Sequence, residues 1–192
     1  MRLFPVQGGT IRLRLDFDEA HLLDQLVRQL IDLLHSHSST ELDPDPLFAS
    51  LEVGGSDALP DDPALARLFP NAYEGEDAAS QFRRVTEQGL LNRKLQDAVE
   101  VSTALGVGSL LDDSDYGNDE PTPVEVDIAP DELPVWLRTL TAVRLAIAAR
   151  LEIMHDDDAV RLAADEEHRG TLLVYDWLAA ILDSLLRMHA ND

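Results

Sequence analysis

The stretch from Asp131 to Leu151, DELPVWLRTLTAVRLAIAARL, constrains the fold more than any other part of the chain. At 3.6 residues per turn its large apolar side chains form one broad stripe: Leu133, Trp136, Leu137, Leu140, Val143, Ile147 and Leu151. The opposite side is filled by Leu145 and alanines. Because a helix that is apolar on most sides is normally buried inside a bundle, we predict a central helix that begins with Pro130 at its first position.

One residue interrupts this apolar stripe. Arg144 falls within it, and a partly buried guanidinium requires a polar partner, so we expect a carboxylate or backbone acceptor beside it. The last predicted helix carries a second apolar face that includes Trp177 and Leu178. Core packing is the default for tryptophans on such faces. The predicted structural core therefore includes Trp136, Leu140, Arg144, Ile147, Trp177 and Leu178.

The remaining periodicity predicts a mainly α protein, a helical bundle with a small antiparallel β element. Residues 2–15 predict a β-hairpin, and the alternation at 124–128 predicts a strand that can join it. Helices are predicted over 17–37, 63–68 and 171–188, while the HDDD motif at 155–158 starts either a loop or a short polar helix. The segments 38–62 and 106–123, rich in Ser, Asp, Pro and Gly, are predicted mobile loops within a single domain over residues 1–192.

The segment 76–105 has helical periodicity, but its apolar face changes phase. Phe82 and Val85 share one side with Thr86 and Gly89. The later apolar residues lie roughly opposite: Leu91, Leu95, Ala98, Val101 and Leu105. A straight helix would need two buried faces, so we predict a kink or break near Gly89 that gives two helices.

Charge and cysteine content exclude several classes of function. The chain carries 37 acidic and 15 basic residues, a net charge of −22. This charge opposes direct binding to nucleic acid or to anionic membranes. The absence of cysteine excludes disulfides, thiol nucleophiles and thiolate metal sites. No signal peptide or apolar run of membrane-spanning length is present, so we expect a cytoplasmic protein.

The motifs that invite a catalytic or metal-binding interpretation are weak. DDSDYGNDE resembles a calcium loop, but counting from Asp112 places Tyr116 and Pro123 where oxygen ligands are needed. His35 and His37, with Glu41 nearby, suit the polar end of a helix. We therefore predict no catalytic residue, metal or cofactor. A metal-dependent hydrolase that uses the aspartates after His155 stays open as an alternative, as does a dimerisation domain.

Two adjacent arginines are more informative. Arg83 and Arg84 follow Phe82 on a predicted helix, in a chain short of positive charge. Either Arg83 pairs with Glu87 one turn later or a bridge forms to the acidic loops, or these residues contact a partner or a buried carboxylate. We place a predicted partner-binding surface on this segment: Tyr73, Phe82, Arg83, Arg84 and Glu87.

Several stretches, taken in order, resemble the actinobacterial AosR family. They are RLFPNAY at 67–73, FRRVTE at 82–87, WL at 136–137, RL at 144–145 and 150–151, and YDWL at 175–178. The resemblance covers nearly the whole chain. It implies a non-enzymatic regulator of the oxidative-stress response that binds a protein partner, a sigma factor, rather than DNA.

The resemblance also implies an alternative and contains one departure. Members of the family occur beside the ClpS adaptor, so an adaptor-like role linked to proteolysis is the alternative. The redox sensing ascribed to the family uses a cysteine pair, whereas this chain has no cysteine. A thiol–disulfide switch within this chain is therefore impossible, and the oligomeric state, including a homodimer, is left open.

Overall fold

The computed structural model describes residues 1–41, 58–107 and 122–190. Within these ranges it contains three strands and six helices. The strands are β1 (Arg2–Pro5), β2 (Ile11–Leu15) and β3 (Val124–Ile128), and the helices are α1 (Phe17–Glu41), α2 (Pro63–Leu68), α3 (Glu76–Leu105), α4 (Leu133–Arg150), α5 (Asp156–Ala163) and α6 (Glu166–Ala190). The predicted class, mainly α with a small antiparallel β element, is confirmed.

The sheet follows from the alternation of apolar and charged residues. Its order is β1-β2-β3, with both pairings antiparallel. Gly8 and Gly9 form the turn between β1 and β2 with φ of 81° and 74°, values that favour glycine. Alternate residues of β2 and β3 are buried, whereas Arg12 pairs with Asp127 at 2.6 Å on the other side of the sheet. The predicted hairpin and its added third strand are confirmed.

Helix α4 lies at the centre of the bundle, where it contacts α1, α2, α3 and α6. It begins at Leu133, so the predicted start at Pro130 is wrong. A turn precedes it, in which the Leu133 N–H donates to the Ala129 carbonyl at 3.0 Å. The Ala129 N–H in turn donates to the Glu132 carboxylate at 2.9 Å. The residues around Pro130 therefore belong to this turn and not to the helix.

Several predicted boundaries shift. Helix α1 extends to residue 41 instead of 37, and α6 begins at 166 instead of 171. Of the two alternatives for the HDDD motif, the short polar helix is present as α5. The predicted mobile loops at 38–62 and 106–123 fall mostly outside the described residues, as does the calcium-like stretch that starts at Asp112.

The predicted kink in α3 is wrong, because α3 is one helix of 30 residues with no break at Gly89. A single buried face runs along it at steps of three or four residues, with the partly buried Leu95 between Leu91 and Ala98: Ala79, Arg83, Glu87, Leu91, Ala98, Val101 and Leu105. The first apolar set points outward instead, with Phe82 42% exposed and Val85 82% exposed. The phase change arises because two charged residues take the buried positions in the first half of the helix.

Asp62 joins α2 to α4. Its carboxylate caps α2 by accepting from the N–H groups of Ala64 at 2.8 Å and Leu65 at 3.1 Å. The other carboxylate oxygen accepts from Arg150, near the end of α4, at 2.6 Å. Burial acts to raise the pKa of Asp62, but the hydrogen bonds from Leu65 and Arg150 outweigh it and hold the pKa below 3.8.

The exposed position of Gly89 generates a first prediction. A Cβ added there meets no atom within 4 Å, so Gly89→Ala should raise the free energy of unfolding by about 0.5–1 kcal/mol. Gly106→Ala is the matched control, because Gly106 ends α3 at φ 62°, where an alanine is strained. This variant should lower the free energy of unfolding by about 1 kcal/mol. Urea denaturation measures both. If Gly89→Ala destabilises the protein, α3 is not continuous at this position.

A second prediction concerns Asp62. Asp62→Ala should lower the free energy of unfolding at pH 7 by about 1–2 kcal/mol, because α2 loses its cap and its tie to Arg150. A carboxyl whose folded pKa is depressed contributes stability above the unfolded pKa and loses it as pH falls through the folded pKa. The gap in free energy of unfolding between wild type and variant should therefore narrow below pH 3.8. Thermal melts across that range would contradict this if the gap stayed constant.

Candidate functional site

A cluster of charged side chains lies inside the protein where α1 and α3 meet. Arg83 and Glu87 are 5% and 2% exposed, and Arg83 Nη1 donates to Glu87 Oε2 at 2.8 Å. The other carboxylate oxygen, Oε1, lies 2.7 Å from His37 Nε2. We refer to His37, Arg83 and Glu87 as the buried charge cluster. The two charges, on Arg83 and Glu87, are paired and hydrogen-bonded, as charges removed from water must be.

The buried charge cluster also holds the segment that follows α2. Arg83 Nη1 donates to the Phe69 carbonyl at 3.1 Å, and Nη2 donates to the Asn71 side chain. The His37 ring packs on the Phe69 ring with centroids 5.3 Å apart, and Lys94 Nζ lies 5.9 Å from the same ring. Burial lowers the pKa of Lys94. Through these contacts, Phe69 and Asn71 are fixed against α1 and α3.

This geometry corrects the predicted partner-binding set. Arg83 and Glu87 are buried and bound to each other, so neither is accessible to a partner. They form the intrahelical ion pair that the sequence analysis gave as the alternative to a partner contact. Tyr73, Phe82 and Arg84 lie on the surface. Sequence reasoning did not include Val85 or His37, because an apolar residue on a helix was expected inside and a histidine at a helix end was expected in solvent.

The exposed apolar residues beside the cluster form a continuous feature. The Tyr73 and Phe82 rings meet edge to face with centroids 5.6 Å apart, and Val85 follows one turn along α3. We call Tyr73, Phe82 and Val85 the outer stripe. The chain next to Tyr73 contributes exposed acidic residues, Glu74, Glu76 and Asp77. The result is an apolar surface with an acidic border, supported from below by the buried charge cluster.

The residues predicted for the core occupy two kinds of position. Trp136, Leu140 and Leu178 are fully buried, whereas Ile147 and Trp177 are partly buried and pack against the core. Arg144 is partly buried, and its partner is not the carboxylate or backbone acceptor that we expected. Its guanidinium carbon lies 4.1 Å from the centroid of the Tyr175 ring, a cation–π contact. Among the described residues it has no carboxylate or backbone acceptor, and its Nε is buried without a hydrogen-bond partner.

Arg144 lines a cavity of about 210 Å³ between α2, α4 and α6, which we call the arginine cavity. Its lining residues are Arg67, Thr141, Arg144, Leu145, Ala148, Ile153, Met154, His155, Tyr175 and Leu182. No aspartate or glutamate belongs to this lining. Three separate elements therefore bring cationic and aromatic side chains together at one place.

The aspartates after His155 do not converge with it on a metal site among the side chains that the structure describes. Asp158 Oδ2 accepts from the N–H groups of Met154 and His155, each at 2.9 Å, and Oδ1 accepts from Arg161 at 2.6 Å. These backbone hydrogen bonds lower the pKa of Asp158. Within the described ranges no group of three or more histidine, aspartate or glutamate side chains could hold a metal ion.

Comparison with known proteins places the chain in a family but adds no relative of known activity. The model of a family described as a domain of unknown function, DUF2017, matches residues 1–189. No curated protein and no solved structure matches the chain. In the described parts of the chain, no helix has the length and apolar character needed to cross a membrane.

The contrast between two neighbouring arginines gives the third prediction. Arg83→Ala leaves Glu87 buried without its guanidinium, and should lower the free energy of unfolding by about 3–5 kcal/mol. Arg84→Ala, at the exposed neighbouring position, should change it by about 0.5 kcal/mol or less. Chemical denaturation of both variants measures this difference. A loss for Arg83→Ala as small as the one expected for Arg84→Ala would show that the buried charge cluster does not stabilise the fold.

Proposed function

Since the chain belongs to the DUF2017 family, whose function is not assigned, we propose its function from its own surface. We propose a non-enzymatic regulatory protein that binds a protein partner through the outer stripe. The observation that carries this proposal is the exposure of Phe82 and Val85 on α3, a helix whose opposite face is buried. Tyr73, in the segment before α3, is exposed beside them. A folded domain gains nothing in stability from leaving such residues in water.

The outer stripe has the physical features of a binding surface. Aromatic side chains bring a large apolar area to an interface, and they lose little conformational entropy when they become buried. The edge-to-face contact between Tyr73 and Phe82 restrains both rings before any partner arrives. The anchoring of Phe69 and Asn71 by Arg83 restrains the segment that carries Tyr73. A partner therefore meets a surface that is already ordered, which reduces the entropic cost of binding.

The charge around the outer stripe selects the kind of partner. Glu74, Glu76 and Asp77 border it, and the whole chain carries a net charge of −22. Such a field attracts basic protein surfaces and repels phosphates. The complementary partner is a protein segment with apolar side chains flanked by lysine or arginine.

A sigma factor is the partner that the resemblance to the AosR family favours. Proteins that contact the DNA backbone carry basic surfaces, which suits the acidic border of the outer stripe. Because this chain has no cysteine, any thiol-based response of the complex to peroxide must originate in the partner. We propose that this protein contributes a constitutive docking surface in an oxidative-stress response.

The fourth prediction uses two exposed valines as a matched pair. Val85 lies in the outer stripe, and Val160 lies on α5, with 82% and 73% exposure. Val85→Arg should weaken binding to a purified sigma factor of the source organism by about tenfold or more, because it removes apolar contact and repels a basic segment. Val160→Arg should bind like wild type. Biolayer interferometry measures both affinities, which should also weaken as salt is raised.

Three outcomes would contradict the proposal. One is that no purified sigma factor of the organism binds the wild-type protein. Another is that the two arginine variants lose affinity equally. The third is a homodimer by light scattering that Val85→Arg converts to monomer, because a second copy of the chain would then occupy the outer stripe.

A further inference from the structure

We propose that the arginine cavity binds a small oxyanion, an inference independent of the outer stripe and its partner. The cavity brings together Arg67 from α2, Arg144 from α4 and Tyr175 from α6. The ligand class is a small molecule with a carboxylate or phosphate group. Guanidinium groups recognise both through paired, charge-assisted hydrogen bonds.

The lining of the arginine cavity contains no carboxylate that could neutralise these two arginines. Most arginines of the described chain lie within ion-pair distance of an acidic side chain: Arg12, Arg14, Arg28, Arg83, Arg138, Arg150, Arg161 and Arg187. Arg67 and Arg144 are the two partly buried arginines in the described ranges that do not, although acidic residues outnumber basic ones by 37 to 15. A partly buried cation without a counterion favours binding of an external anion.

Both arginines have N–H groups without a hydrogen-bond acceptor in the described chain. Arg144 makes no hydrogen bond within the described chain, and its Nε is buried without an acceptor. The cation–π contact with Tyr175, at 4.1 Å, holds the guanidinium in place and leaves its N–H groups unused. Arg67 donates from Nη1 to the Ile153 carbonyl at 2.8 Å and contacts the Met154 sulfur at 3.8 Å. The Nε atom of Arg144 has no accessible surface, so an oxyanion in the cavity would bind the Nη groups of Arg144 and the remaining N–H groups of Arg67, which make no hydrogen bond in the described chain.

Backbone hydrogen bonds hold one wall of the cavity in place. Helix α4 ends in a turn where the Ile153 N–H donates to the Ala148 carbonyl at 2.9 Å, and Glu152 adopts φ of 54°. This turn positions the carbonyl that binds Arg67, and it places His155 in the lining. The nearby carboxylate of Asp158 is already bound to backbone N–H groups and to Arg161, so it does not neutralise the cavity.

The size and lining of the cavity limit the ligand. A volume of about 210 Å³ is too small for a nucleotide and large enough for a small organic acid. Leu145, Ala148, Ile153 and Leu182 provide apolar contact beside the arginines. A carboxylate attached to a short apolar body fits both features. Inorganic phosphate shares only the oxyanion chemistry, so the two ligands are separable by experiment.

The test is an NMR titration of the full chain with benzoate, inorganic phosphate and benzyl alcohol, followed through the arginine Nε–H resonances. We expect saturable shifts of the Arg67 and Arg144 signals with benzoate, and none with the uncharged alcohol. Phosphate shifts without benzoate shifts would still support an oxyanion site, one that takes the inorganic ion. Arg144→Lys keeps the charge but loses the guanidinium geometry, so it should weaken affinity by about tenfold or more. Arg187→Lys, at an exposed ion pair on α6, should bind like wild type.

Shifts that grow linearly with benzoate or phosphate, or that sodium chloride reproduces, would show only ionic screening. Equal shifts with benzyl alcohol would show an apolar cavity with no anion preference. If Arg144→Lys unfolds, Arg67→Lys provides the second test, with far-UV circular dichroism confirming that its helices are retained.

Discussion

The ion pair between Arg83 and Glu87 decides how the longest described helix faces the rest of the protein. Both charges lie on the side of α3 that packs inward, where His37 and the Phe69 carbonyl complete their hydrogen bonds. Turning α3 to bury Phe82 and Val85 would move both charges into solvent and release the segment after α2. Once the pair is inside, the apolar residues on the other face must stay outside. The outer stripe is therefore a direct consequence of the buried charge cluster.

Helix α4 supplies the second constraint, because its apolar surface must be covered by several helices at once. Helices α1, α2, α3 and α6 contact it, and the small sheet belongs to the same hydrophobic core as Trp136 and Leu140. Arg144 belongs to the same helix but lies at the edge of this packing, where α6 offers an aromatic ring instead of a carboxylate. In a chain with so many acidic residues, this arrangement keeps one small region positive.

The elements predicted correctly are those whose signal is local. The glycines at positions 8 and 9 identify the hairpin, and the alternation in β2 and β3 identifies a half-buried sheet, because both patterns reflect neighbouring residues. The kink in α3 was predicted wrongly because periodicity treats arginine and glutamate as surface residues. A buried pair of opposite charges has no signature in hydrophobic spacing. The partner-binding set failed at Arg83 and Glu87 for the same reason.

The amino-acid sequence by itself determined the fold class, the helical bundle around α4, the acidic surface and the exclusion of thiol chemistry. These follow from composition and from spacing along the chain, which operate without knowledge of distant contacts. Only the tertiary structure decided which face of α3 is buried, that Tyr73 joins Phe82 and Val85, and that Arg67 meets Arg144 and Tyr175 around a cavity. The physical reason is that each of these features depends on pairing between residues far apart in the chain, where geometry and desolvation select the partners.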